Sequence, residues 1–115
     1  MKHLKSVENY NKKDIKIGDY ALANIHGYRG MGSKEFMYFI NNNIGRIIEI
    51  EDPKKIFDNV SIEYENVPYE IQHPWFRFDE ETGKIFKRTR YGTIIVNSEN
   101  KEDIEIALLS KKFNI

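Results

Sequence analysis

Apolar and polar side chains alternate with period two over Val60-Ser61-Ile62-Glu63-Tyr64. The apolar run Ile44-Gly45-Arg46-Ile47-Ile48-Glu49-Ile50 precedes it across the turn Asp52-Pro53-Lys54-Lys55. The pattern predicts two antiparallel strands, each with one face on a core. Gly45 inside the first of them predicts a bulge or a close approach of another segment. Upstream, Gly18-Asp19 turns the chain into a strand over Tyr20-Ala21-Leu22-Ala23-Asn24-Ile25. Ala21, Ala23 and Ile25 should face the core, which leaves Tyr20 and Leu22 on a face that a loop, the terminus or a partner must cover.

His26 to Lys34 reads as a long glycine-rich loop, and Glu35-Phe36-Met37-Tyr38-Phe39-Ile40 as its return to the core, too short and aromatic for a helix. Asn41-Asn42-Asn43 reads as a turn. Tyr69 to Phe78 is the most aromatic stretch; Trp75 to Phe78 reads as a strand, with Phe76 and Phe78 on one face and Trp75 and Arg77 on the other, and His73 before Pro74 reads as a loop or strand end. Asp79 to Lys84 predicts a hairpin turn in which Gly83 supplies positive φ, and Ile85 to Arg90 is the return strand. Thr93 to Asn97 is a β-branched run that predicts a buried strand. Asn100 and Asp103 form a capping-box-like helix start, with Lys111 and Lys112 at the far end. Ile104, Ala107, Leu108 and Lys111 share one face of that helix, which should cover an open barrel end with Phe113 and Ile115 as anchors.

The Gly-Asp lead-in, the long loop rich in glycine and aromatics, the Gly45-x-Ile47-x-x-Ile50 strand, the short turn and the alternating third strand together resemble the first half of an SH3-like barrel, including its KOW and Tudor relatives. The resemblance spans Gly18 to Tyr64. It implies a mainly β domain: a partly open antiparallel barrel, here extended by a β-hairpin and closed by a C-terminal helix. The functions of that superfamily are too various for any site residue to carry over.

A chain of 115 residues is expected to form one domain with one modest core. Lys plus Arg and Asp plus Glu number 18 each, so no global field draws the protein to nucleic acid or an anionic membrane. The absence of cysteine excludes disulfides, thiolate nucleophiles and cysteine metal sites, and fits a reducing compartment. Met1 to Glu8 lacks the apolar centre of a signal peptide and no apolar run reaches membrane-spanning length, so a cytoplasmic protein is expected. The first 16 residues are polar and basic and read as a solvated terminus. Heavy use of Ile, Asn and Lys follows AT-rich codons and fits an AT-rich bacterium, its phage or a large DNA virus. An accessory protein of a phage or virus, acting on a host protein, is the expectation that follows.

Candidate chemistry is sparse. Gly27 and Gly32 have the spacing of a phosphate-binding loop, but Ser33-Lys34 reverses the order that brings the lysine to the outer phosphates and the hydroxyl to magnesium. A nucleotide or small-molecule sequestering protein using Gly27 to Lys34 is therefore the weakest of three readings. His3, His26 and His73 stand apart from carboxylates at ligand spacing, so neither metal, cofactor nor catalysis is expected, and Asp79-Glu80-Glu81 reads as a solvated hairpin tip. A non-enzymatic binding protein remains. Tyr20, Tyr28, Tyr69 and Trp75 are the candidate anchors for a protein partner. Arg77, Lys84, Lys87, Arg88 and Arg90, beside Trp75, are the candidates for nucleic acid, where cations meet phosphates and aromatics stack on bases.

Overall fold

The computed structural model describes residues 15–25, 34–51 and 59–113. The alternating stretches form β2 (Gly45–Ile50) and β3 (Asn59–Glu63), antiparallel, with Arg46 opposite Glu63 and Ile47 opposite Ile62. β1 (Tyr20–Ala23) lies on the outer side of β2 and β5 (Ile85–Arg90) on the outer side of β3. β4 (Arg77–Phe78) and β6 (Ile94–Ser98) are the two edges, so six strands run in the order β4-β5-β3-β2-β1-β6, every pair antiparallel. The sheet is open, where a partly open barrel was expected. Its two edges, β4 and β6, are not hydrogen-bonded to each other.

Among the described residues three α-helices pack on this sheet, and only the last was expected. Lys34–Asn42 is α1, although its sequence reads as a loop return. Phe36, Phe39 and Ile40 follow i, i+3, i+4 spacing and are all buried. Burying that stripe outweighs the modest helix propensity of aromatic residues. The asparagine triplet ends the helix: Asn42 Nδ2 donates to the Tyr38 carbonyl and Asn43 Nδ2 to that of Phe39, each at 2.8 Å, satisfying carbonyls that the last turn leaves open. Asn41 instead reaches across to β1's continuation, accepting from Ile25 N–H at 2.7 Å and donating to the Ile25 carbonyl at 3.1 Å.

Tyr69–Trp75 is α2, a helix that was not expected and that takes in Trp75, the first residue of the expected strand, with Pro68 at its N-cap and the Phe76 N–H closing it on the Gln72 carbonyl. Val67 and Ile71, four residues apart, are both buried, a helical spacing that the aromatic alternation concealed. The hairpin turn forms as expected: Gly83 has φ of 73° and its N–H donates to the Asp79 carbonyl at 2.7 Å. α3 (Lys101–Phe113) follows β6, and its start is a relayed version of the expected box. The Ser98 hydroxyl donates to the Asp103 carboxylate at 2.7 Å and accepts from the Asn100 N–H at 3.1 Å.

β1 separates two cores. Ala21, Ala23 and Ile25 join Ile47, Val60, Ile62 and Ile94 beneath α1 and α2. Leu22, on the other face, packs with Val96, Ile104 and Ala107 under α3, so the C-terminal helix supplies the cover this face demanded. A turn knots three strands together below: the Asp19 carboxylate accepts from Lys16 N–H at 3.0 Å and from Asn97 Nδ2 at 2.9 Å, while its carbonyl accepts from Ile47 N–H. Phe36, Phe39, Tyr64 and Phe76 form an edge-to-face aromatic cluster with ring centroids 5.7 to 6.0 Å apart.

Gly45 is the close approach anticipated from its position, since a β-carbon there would stand 2.2 Å from Ile62 Cγ2 and 3.0 Å from the Tyr64 ring. Gly45→Ala is expected to cost about 2 kcal/mol in denaturant unfolding through overpacking. The Tyr64 hydroxyl is buried with no hydrogen-bond partner among the described residues, and burial pushes its pKa far up. Because the folded value lies above the unfolded one, the associated stability is complete below pH of about 10 and is lost as pH rises further. Tyr64→Phe should therefore raise stability by about 1 kcal/mol at neutral pH and flatten the alkaline limb of a pH–stability curve.

Candidate functional site

The register assigns every candidate cation to a face. Across the sheet, Arg46, Glu63, Phe86 and Arg77 lie opposite one another in a row, and Glu49, Ser61 and Arg88 form the next. These rows continue the face that α3 covers over β1 and β6, and Lys101, Glu105 and Leu108 of α3 line a cleft with Arg46 and Glu63 of the first row. Arg88 and Arg90 are exposed there, and Arg88 forms an ion pair with Glu51. Ser61 lies buried between them, donating to Glu49 at 3.3 Å, while Asn59 donates to Glu51. Glu49 of β2 and Glu51 just past its end thus lie across β3 from the arginines of β5. The result is a polar face of mixed sign in place of a purely basic one.

Lys87 departs from the expected cluster. Strand alternation turns it to the opposite face, half-buried, with its ammonium 5.6 Å from the Phe36 ring centroid. Burial pushes its pKa down, and the nearby Arg77 guanidinium adds to the effect. Lys84 sits exposed in the hairpin turn and Arg77 exposed on β4. The five candidate cations are therefore spread over a turn, an edge strand and both faces of β5.

The aromatic candidates also separate. Tyr20 is half-buried against the α3 cluster with the Arg46 guanidinium 5.4 Å from its ring centroid, so it is no exposed anchor. Tyr28 lies outside the described residues, as do Gly27, Gly32 and Ser33 of the glycine-rich loop. Trp75 occupies the last position of α2, on a helix where a strand was expected, and is not on the sheet with the cations. Tyr69, at the start of α2, is 84% exposed.

Two residues that sequence reasoning passed over join Tyr69. Tyr38 on α1 is 68% exposed and Phe78 on β4 is 62% exposed. Both flank α2. Between α1 and α2 runs a cleft of about 580 Å³ lined by Tyr38, Phe39, Pro68 and Ile71, with Lys34 and Glu70 at its rim. On the other side of α2 a second cleft of about 330 Å³ is bounded by Tyr69, Phe76, Arg77, Phe78 and Ile85. Tyr38 was legible as an outward position once Phe36, Phe39 and Ile40 are set on a helix. Among the described residues no group of three His, Asp or Glu side chains is placed to hold a metal ion.

The placement of Lys87 yields a check on this geometry. Replacing Arg77 with Ala should move the Lys87 pKa part of the way back up, leaving the larger share due to burial, as read by NMR titration of its side chain; an unchanged value would contradict the proximity of the two cations.

The chain matches no known protein family, no curated protein and no solved structure at a significant level.

Proposed function

We propose that the protein is a small non-enzymatic binding domain that engages a protein partner through the aromatic surface around α2. The observation that carries the reading is the concentration of Tyr38, Tyr69 and Phe78, three of the large apolar side chains most exposed to solvent, around two clefts beside a single short helix. Exposed aromatic side chains next to concave apolar ground, with Arg77 at the margin, have the composition of interface hot spots. A partner side chain entering the cleft between α1 and α2 would leave little polar surface to desolvate.

Several finer points belong to the same proposal. The meander β1-β2-β3-β5, with β6 returning to the outer side of β1, supports an opened SH3-like arrangement. The composition supports a phage or viral accessory protein whose partner is a host protein in the cytoplasm. Among the described residues no helix is long and apolar enough to cross a membrane. A nucleic-acid partner is disfavoured because Glu49, Glu51 and Glu63 share the open face with Arg88 and Arg90, and phosphate would have to displace the Glu51 ion pair.

Affinity capture from cell extract with the parent chain, with Tyr69→Ala/Phe78→Ala and with Arg88→Ala tests the reading. A protein captured by the parent and by Arg88→Ala, retained at high salt, and weakened by about tenfold or more in the aromatic variant is the expected result. Capture lost with Arg88→Ala and kept by the aromatic variant would overturn it. So would salt-sensitive binding of labelled single-stranded DNA or RNA in anisotropy titrations.

A further inference from the structure

α3 has two apolar faces, and the sheet uses only one. Ile104 and Ala107 are fully buried against β1 and β6, with Leu108 beside them. On the outer side Ile106 is 48% exposed and Leu109 53%. Glu102 and Lys112 are exposed along the same stripe, because positions three and four apart stack on one side of a helix, and the exposed Glu105 stands at its edge, where it also lines a cleft with Arg46 and Glu63. Read from the N-terminus, the stripe runs acid, acid, isoleucine, leucine, base. An apolar centre flanked by opposite charges at its two ends is complementary to itself when reversed.

We propose that this stripe is a self-association surface at which α3 packs antiparallel against α3 of a second copy across a two-fold axis. An isologous contact requires each residue to meet one equally far on the other side of the axis. With the axis between Ala107 and Leu108, Ile106 meets the partner's Leu109 and Leu109 meets the partner's Ile106. Lys112 then faces the first turn of the partner helix, between the partner's Glu102 and the partner's Glu105. Opposite ends of the helix dipoles are brought together as well. A parallel arrangement would set Glu against Glu and Lys against Lys, so the charges select the antiparallel one. The surface lies on the sheet face opposite α1 and α2, so the dimer would present both aromatic surfaces outward. A contact made by one helix per subunit falls below the roughly 1,200 Å² of a standard interface, so the dimer is weak and concentration-dependent.

Sedimentation equilibrium of the full chain tests this independently of any partner. The parent protein should move from 13.7 kDa toward twice that mass at concentrations on the order of 100 μM, and Ile106→Glu should remain monomeric. Lys112→Glu alone and Glu102→Lys/Glu105→Lys alone should each weaken self-association by about fivefold or more, whereas an equimolar mixture of the two should form a heterodimer tighter than either homodimer. All these side chains are exposed, and circular dichroism confirms that the variants stay folded. A parent chain monomeric throughout would overturn the proposal, as would a dimer unaffected by Ile106→Glu or a mixture no tighter than its components.

Discussion

The burial of β1 on both of its faces is the constraint on which the rest of the structure depends. Ala21 and Ala23 lie at 0% and 1% exposure on one side and Leu22 at 0% on the other. A strand so placed has no solvent face, so helices must lie on both sides of the sheet. Small side chains let α1 sit close over β1, and Leu22 gives α3 something to grip. The Asp19 turn anchors the same strand at its base by linking it to β2 and β6 through main-chain and carboxylate hydrogen bonds. Two modest cores, back to back on one strand, replace the single core that the length of the chain suggests.

Farther from β1 the demand for cover disappears, and the sheet carries charge instead. β2 contributes Glu49, Glu51 follows just past its end, β5 contributes Arg88 and Arg90, and β3 puts the small polar groups Ser61 and Asn59 between them. Arg88 is paired with Glu51, and Glu49 accepts from Ser61. The strand that is the densest basic run in the sequence therefore shares its open face with carboxylates. The apolar ground available to a partner lies elsewhere, at α2, where a short helix cannot cover the aromatic side chains on both of its flanks.

Strands β2, β3 and β5, the Gly83 turn, β6 and α3 were legible because alternation, turn chemistry and capping residues act over a few neighbouring positions. α1 and α2 were not. Phe36, Phe39 and Ile40 favour a helix only because the aromatic cluster of Tyr64 and Phe76 waits to receive them, and that cluster is assembled from distant parts of the chain. Phe76 and Phe78 alternate as a strand would, yet only Arg77 and Phe78 pair with β5. Closure of a barrel depends on the tilt and stagger of all its strands, which no local pattern sets. The candidate surface was half legible for the same reason: Tyr69 stood out by its aromatic neighbourhood, whereas Tyr38 and Phe78 become outward-facing only when the helices are in place. Glu49 and Glu51 come to share a face with the arginines through strand register, which sequence spacing does not reveal.

One small joint ties the two helical layers together. Lys111 of α3 extends its ammonium past the end of β1 to the Asn41 carbonyl at 2.9 Å and to Asn24 Oδ1 at 3.4 Å, and burial lowers its pKa. Asn41 in turn holds the Ile25 backbone through both of its side-chain atoms. The ends of two helices on opposite faces are thereby fastened to one backbone segment. Fraying of α3 would release the Asn41 carbonyl of α1, so loss of order in one layer removes a contact from the other. A molecule built on two separate cores is thus stitched together at the end of their shared strand.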